Sequence, residues 1–535
     1  MGARTVLVRA LLVSFVVVGV VGTPAPSGAS QAPDSEASAA LSSPDRIQRA
    51  IASGALTRER GYLYIAYALL APDRLPRIYR SDVPFHGTVW LLELRRVVQT
   101  LPAGPERTEL ERLLTPDPGS FCDVLSPTPL PDQIQSAHFH IEYDATLIGG
   151  NSGLTIQDYI DSLEGSWTTE IDSFGWAAPP VFEVPPPGGK YHVRIEPTMA
   201  PVLYGFVSSS GKYAGPVGNN PNTAWNDQDA DASCMGLNND YSNFPGTPQR
   251  ALDATTAHEF NHSIQFGYGA LSGANAPDSV FVEGGATWME DEVYDYANDN
   301  YNYLWPVFEN DMGEYEDSPY PYWITWRGLT ERYGAGNSGG GEDVMQRFWE
   351  ITSRNEGSNL EAMNAALAPE GTTLAAAYHA YAVAVKFNRA CGGGYVYPYC
   401  FEEGPQYVNG DGVQPGAGET QPHGTIESEG GSFSGSIPDN YSLNWVVIPE
   451  TGPYRVTLTN TSTGGALKGS LICDTGRGLR VRALRAVVGA GESTSRRMFR
   501  GTCVSAVAVI TNQAQTAPNP PSSVSRAYAL STTAV

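Results

Sequence analysis

Apolar positions along this chain follow two periods, and the switch between them divides it. From residue 47 to 114 they recur at helical spacing: Ile47, Ala50, Ile51 and Leu56, then Tyr62 to Leu70, Val89 to Leu101 and Glu106 to Leu114. With Pro72, Pro76 and Pro105 as punctuation, this reads as four helices. From Ala137 to Asp144, Phe139, Ile141 and Tyr143 alternate with polar residues, the pattern of a strand. A helix over Thr155 to about Phe174 and a strand over Tyr191 to Ile195 follow, so a mixed sheet with helices packed on it is expected. The period of two returns at Tyr441 to Ile448, Tyr454 to Asn460, Leu467 to Cys473, Leu479 to Leu484, Cys503 to Thr511 and Tyr528 to Thr532. Short strands at this spacing suggest a β-sandwich. The expected fold class is therefore multidomain α+β: an N-terminal helical region, a central domain with a mixed sheet and a helical half, and a C-terminal β-sandwich.

Composition adds boundaries. Arg4 and Arg9, the apolar run Ala10 to Val21 and the small residues Ser27-Gly28-Ala29 read as an export signal over residues 1–30. That run is too short for a bilayer, which needs about 20 residues, so a secreted, extracellular protein with no membrane span in the mature chain is expected. An Ala-, Ser- and Pro-rich lead precedes the helices of 31–132, which read equally as a small domain or as a propeptide covering the centre of the protein. The central domain is expected over 133–402. The Gly-, Pro-, Gln- and Glu-rich stretch 403–432 reads as a linker or long loop, and 433–535 as the sandwich, with either attachment to a surface or substrate or stabilisation alone as its role. A formal charge of −24 disfavours nucleic acid and acidic membranes as partners. Six cysteines suit an oxidising compartment. Proximity pairs Cys391 with Cys400 and Cys473 with Cys503, leaving Cys122 and Cys234.

The chemistry concentrates in His258-Glu259-Phe260-Asn261-His262. Helical residues four apart share a face, so both imidazoles can reach one Zn2+ ion, and Glu259 stands where it can take a proton from a water that the ion has acidified. Thr255 to Phe266 contains no Pro or Gly and no charge besides Glu259, which suits a buried helix. Zinc with two histidines needs a further protein ligand. The metzincin pattern fails, because Gln265 and Tyr268 stand where Gly and a third His belong. A glutamate on a following helix is supplied by Val282-Glu283-Gly284-Gly285-Ala286-Thr287-Trp288-Met289-Glu290-Asp291, with Glu283 lying 21 positions beyond His262. Glu290 is its rival, and with Asp291 is otherwise expected to hold a histidine's other nitrogen. Gly284 and Gly285 are expected to let the second helix approach the first.

These two stretches resemble the gluzincin zinc metallopeptidases, and HEFNHSIQFGY with EGGATWMED is similar to a group of exported bacterial metalloprotease-like proteins, over about Gln135 to Arg389. The resemblance implies a zincin-like catalytic domain with His258, His262 and Glu283 as metal ligands and Glu259 as general base. It also implies a Tyr or His oxyanion donor, for which Tyr320, Tyr322 and His379 are candidates. The Gly-Ala-Met-Glu-Asn type of motif that anchors a substrate amino terminus is absent, which favours an endopeptidase acting on proteins or peptides. Ca2+ is a second cofactor candidate at Asn226 to Asp231, although Ala232 and Asn238 break the EF-hand pattern and a solvated acidic loop is the first reading. The same holds for Asp295 to Asn302 and Glu309 to Asp317. The competing class is a non-catalytic zinc-containing surface or substrate-binding protein, against which the intact Glu259 speaks.

Overall fold

A computed structural model describes residues 41–115, 130–181, 189–209, 219–227, 229–269, 271, 277–304, 319–333, 342–354, 357–499, 501–516 and 524–535. The expected export signal, Cys122 and the acidic run Glu309 to Asp317 lie outside them. Each of the four N-terminal helices forms: α1 (Ser43–Ala52), α2 (Arg58–Leu70), α3 (Thr88–Val98) and α4 (Pro105–Leu114). Side-chain oxygens of Ser42 and Thr57 cap the first two, and Pro44 and Pro105 sit in first turns, where a missing N–H costs nothing.

The central sheet contains β1 (Asp132–Gln135), β2 (Phe139–Tyr143), β3 (Tyr191–Glu196), β4 (Gly205–Ser209) and β5 (Ser233–Asn238), in the order β1-β2-β3-β5-β4. β2, β3 and β5 run parallel, while β1 and β4 pair antiparallel at the two edges. The crossover from β2 to β3 carries α5 (Ile156–Trp167), continued by a π-helical turn over Thr168–Ser173. Only the strands with plain alternation or a long apolar run were legible in the sequence. β4 and β5 include Gly205 and Gly236, which weaken the strand signal, because the backbone there must pass closely: a Cβ on Gly205 would lie 2.9 Å from the Gly236 carbonyl and 3.1 Å from Glu259 Cγ.

α6 (Pro248–Gly267) lies on this sheet and α7 (Ser279–Val293) packs against α6. Thr247 and Asp278 cap them. Every α6 residue from Ala251 to Gly267 is buried, as its near-absence of charge predicts. Helices Trp323–Thr330, Glu342–Ser353, Asn359–Leu367 and Leu374–Phe387 complete this half.

The C-terminal region is a β-sandwich of open sheets. One holds β6 (Gly424–Thr425), β8 (Ser442–Val447), β10 (Leu467–Asp474), β11 (Leu479–Ala483) and β13 (Ser505–Asn512); the other holds β7 (Ser432–Pro438), β9 (Tyr454–Asn460), β12 (Ser493–Arg497) and β14 (Ser525–Ala534). A core with Val456, Leu458, Leu471 and Ile510 fills the space between them. The opposite face of the first sheet, with Trp445, Val507 and Val509, joins the core of the central domain. The stretch read as a linker is itself folded there: Gly404–Asn409 is a helix, Tyr407 is fully buried, and Asp411 pairs with Arg250. Cys391–Cys400 and Cys473–Cys503 are bonded as proximity predicts, and Cys234 is disulfide-bonded too. No described helix is long and apolar enough to cross a membrane. Disulfides without a membrane helix are compatible with an extracellular protein.

Candidate metal centre

α6 brings His258 and His262 onto one face, one turn apart, and α7 crosses it so that Glu283 meets both. His258 Nε2 lies 3.1 Å from Glu283 Oε2 and 3.1 Å from His262 Nε2, and His262 Nε2 lies 3.4 Å from Glu283 Oε1. A tetrahedral ion with bonds of about 2.0–2.1 Å holds neighbouring ligand atoms about 3.3 Å apart. All three residues are fully buried, and Glu283 Oε1 has no hydrogen-bond partner among the described residues. A buried carboxylate oxygen left over at a point where two imidazole nitrogens converge is what a cation would satisfy. These residues form a group that can hold a metal ion.

The remaining ring nitrogens are held by a surrounding polar layer. Gln265 donates its amide NH2 to Asn261 Oδ1 (2.8 Å) and to the Val282 carbonyl (3.2 Å), which turns its oxygen toward His262 Nδ1 at 2.9 Å. Nδ1 of His262 therefore carries the proton and Nε2 keeps its lone pair for the group. His258 Nδ1 lies 2.7 Å from Glu290 Oε1. Burial, and then the nearby Asp299, push the Glu290 carboxyl up. Glu290 thus faces the other ring nitrogen of His258, and with His86 and His258 it makes a second group that can hold a metal ion. Asp291, expected beside it, turns elsewhere: it accepts from Asn300 (2.9 Å) and faces Arg327 (3.3 Å).

Electrostatics favour positive charge at this point. Burial would raise the Glu283 carboxyl, but His262 and His258 hold it far below the ordinary carboxylate range, and Glu283 in turn draws His262 upward against its own burial. Burial pushes His258 down to about 3. Replacing Glu290 with alanine is expected to weaken metal binding about 10- to 100-fold, because the imidazole loses the partner that orients it. Competition against a chromophoric chelator measures this, and unchanged affinity would show that the Glu290 contact does not position His258.

Glu259, beside this group, is engaged by the N-terminal region, which the sequence did not foretell. Its Oε1 lies 3.0 Å from His86 Nδ1, and its Oε2 accepts from Thr88 Oγ1 at 2.9 Å. Burial raises the Glu259 carboxyl and holds His86 neutral, pushed down to about 3. The His86 ring stacks on His258, with centroids 3.7 Å apart, and on Tyr204 at 4.6 Å. Nothing in the spacing of His86 marks it, since 173 positions separate it from its partner.

The two tyrosine candidates separate. Tyr320 has its ring 6.2 Å from the His258 ring and a buried hydroxyl without a partner. Tyr322 is buried in the core, where its Cβ and Trp326 Nε1 would crowd a Cβ on Gly284 to 3.0 and 2.9 Å. The need for glycine at 284 therefore comes from that neighbour and not from α6, while Gly285 has ordinary room, 3.8 Å from Gln265. His379 is bound on both sides by sandwich hydroxyls, Thr511 and Ser470, each at 2.8 Å, and is not part of the centre. Of the two histidines at β2, His138 stacks on Trp167 and contacts Glu164, whereas the ring of His140 lies 5.0 Å from that of His192.

At the acidic run near residue 226, Asp227 is taken up by Thr223 Oγ1 and Trp225 Nε1, each at 2.6 Å. That run joins no metal-capable group among the described residues, whereas Asp295 lies in one with Asp291 and Glu403.

The chain matches no protein-family model and no curated protein. Among solved structures, PirA is similar over 19% of this chain and 92% of that one, at 18% identity and a TM-score of 0.14. The pre-peptidase C-terminal domain of a collagenase from Bacillus anthracis is similar over 21% of this chain and 96% of that one, at 9% identity and a TM-score of 0.14.

Proposed function

We propose that this chain is an exported zinc-dependent endopeptidase of the gluzincin type. The observation that carries the reading is the convergence of His258 Nε2, His262 Nε2 and the Glu283 carboxylate, whose oxygens lie 3.1 Å from the first and 3.4 Å from the second, next to a fully buried Glu259. Two imidazoles and one carboxylate are a donor set that zinc takes in hydrolytic sites, where a further position stays open. A zinc ion held there supplies Lewis acidity, bringing the pKa of water to about 7 and polarising a carbonyl oxygen.

The chain's own groups do the rest. Glu259 accepts the proton of the attacking water and returns it to the leaving amine. Glu290 and Gln265 keep the imidazoles oriented from behind. Tyr320, with a buried hydroxyl that has no other partner, is the better placed donor for the developing oxyanion.

The test is metal dependence. Purified full-length chain is expected to contain about one zinc per molecule and to cleave unfolded casein. Activity should be lost with a chelator and restored by zinc. Bound zinc without hydrolysis, in chains confirmed to be folded and with the site accessible to a small ligand, would instead favour a binding protein.

A further inference from the structure

Residues 85–88 occupy the edge of the central sheet beside the metal centre. Phe85 bridges Leu203 in parallel. Its N–H donates to the Val202 carbonyl (3.0 Å), the Tyr204 N–H donates to the Phe85 carbonyl (3.0 Å), and the Gly87 N–H donates to the Gly205 carbonyl (2.9 Å). The chain thus adds a short strand to the free side of β4, the way an extended peptide augments a sheet edge. Gly87 is required for the approach, since a Cβ there would meet Phe206 Cβ at 3.0 Å.

This addition drives His86 between Tyr204 and His258 and sets it on one oxygen of Glu259. Thr88, whose hydroxyl also accepts from the Val207 N–H at 2.8 Å, takes the other oxygen. Both oxygens of the carboxylate are engaged. His86, His258, Glu259, His262 and Glu283 are each 1% exposed or less. With the segment in place the group is buried from solvent.

We propose that residues 85–88 are an intramolecular plug, by which the N-terminal helical module holds the metal centre latent until the segment is withdrawn. The proposal rests on the peptidase reading and adds its regulation. The architecture of the module supports it. Its core is its own, built on residues such as Ile47, Ile65, Leu91, Leu94 and Leu110, and among the described residues Met199, Ala200, Leu203 and Phe206 enter it as buried residues from the rest of the chain. Withdrawal therefore unpairs a sheet edge and a small apolar contact, and leaves the core around α6 and α7 intact. Among the described residues, the polar ties to be released include, beyond the strand pairing and Glu259, the Val207 N–H on Thr88 and Arg95 on Ser208 Oγ (2.7 Å) and the Ser209 carbonyl.

The test uses the full-length chain, wild type and with His86→Ala or Thr88→Val, the second being nearly isosteric. Circular dichroism and metal content confirm that each is folded and loaded. Acetohydroxamic acid is titrated into the cobalt(II)-loaded proteins and followed by the visible spectrum, and hydrolysis of fluorescent casein is followed in the zinc-loaded ones. A plug that keeps the open form rare lowers apparent affinity in proportion to that rarity. Both substitutions are therefore expected to lower the hydroxamate concentration required, and to raise hydrolysis, by about tenfold or more.

Wild-type hydroxamate affinity in both folded variants, with hydrolysis unchanged or reduced, overturns the plug while leaving the peptidase reading intact. Easier hydroxamate access without hydrolysis in any chain overturns the peptidase reading, and latency with it.

Discussion

Glu259→Gln is expected to lower casein hydrolysis by about 10²- to 10⁴-fold without reducing metal content. The two effects separate because Glu259 is not in the group that can hold a metal ion: its carboxylate contacts His86 and Thr88, while His258, His262 and Glu283 face one another. Glutamine keeps the shape and can still accept from Thr88, so the loss reports the missing base and not a collapsed site. The substitution is best made both in the wild type and together with His86→Ala, where any restraint by the N-terminal segment is removed. Equal rates with and without the carboxylate would sink the role of Glu259. Loss of metal together with activity would mean that the substitution had disturbed the ligands instead.

The second large effect is expected at Arg327. Its guanidinium is almost wholly buried against three carboxylates, Glu292 (2.6 Å), Glu331 (2.8 Å) and Asp291 (3.3 Å). Two of these belong to α7, so Arg327 ties the helix that carries Glu283 to helix Trp323–Thr330. Arg327→Met fills the space but leaves the carboxylates without their cation, a loss that typically costs about 3–5 kcal/mol.

The cost should depend on pH in a definite direction. Burial already pushes Glu292 up to about 8 and Glu331 up to about 7, despite the arginine. Their folded pKa values therefore lie above those of the unfolded chain, and the folded state binds more protons between about 4.5 and 8, so stability falls as pH rises through that window. Without Arg327 the carboxyls rise further. The deficit of the variant is expected to be smallest near pH 5 and largest at pH 8 and above, measured as apparent unfolding free energy by chemical denaturation. A deficit independent of pH would show that packing, and not charge, is what Arg327 contributes.

The helical and strand periods were readable where one face of an element is buried and the other wet. α3 and β9 are of this kind, with Leu91 and Leu94, or Val456 and Leu458, turned inward. Covered elements were read only where a further signal marked them, as at β3 and α6, and β4 and β5 lack one. β4 and β5 are buried at every position and contain glycine, so neither alternation nor β-branched enrichment announces them. The reading also failed at 403–432, whose polar composition suggested a linker. There Tyr407 and Gln414 are buried because helix ends and loops pack against the central core, a matter of neighbours and not of composition.

For the metal centre, sequence determined the most local part. His258 and His262 share a helical face because their spacing is four, and Glu259 stands beside them because it is the next residue. Glu283 was legible as a carboxylate on a following helix. Only the tertiary structure decided which carboxylate faces the histidines and which stands behind them, since Glu283 and Glu290 differ by the crossing of α6 and α7 and not by residue type. It alone showed Gln265 holding His262, Arg327 claiming Asp291, and His379 spent on the sandwich. It alone brought His86 and Thr88 to Glu259. Periodicity reports which way a side chain faces within its own element, whereas contacts across 171 and 173 positions depend on how whole elements pack, and no local pattern encodes that.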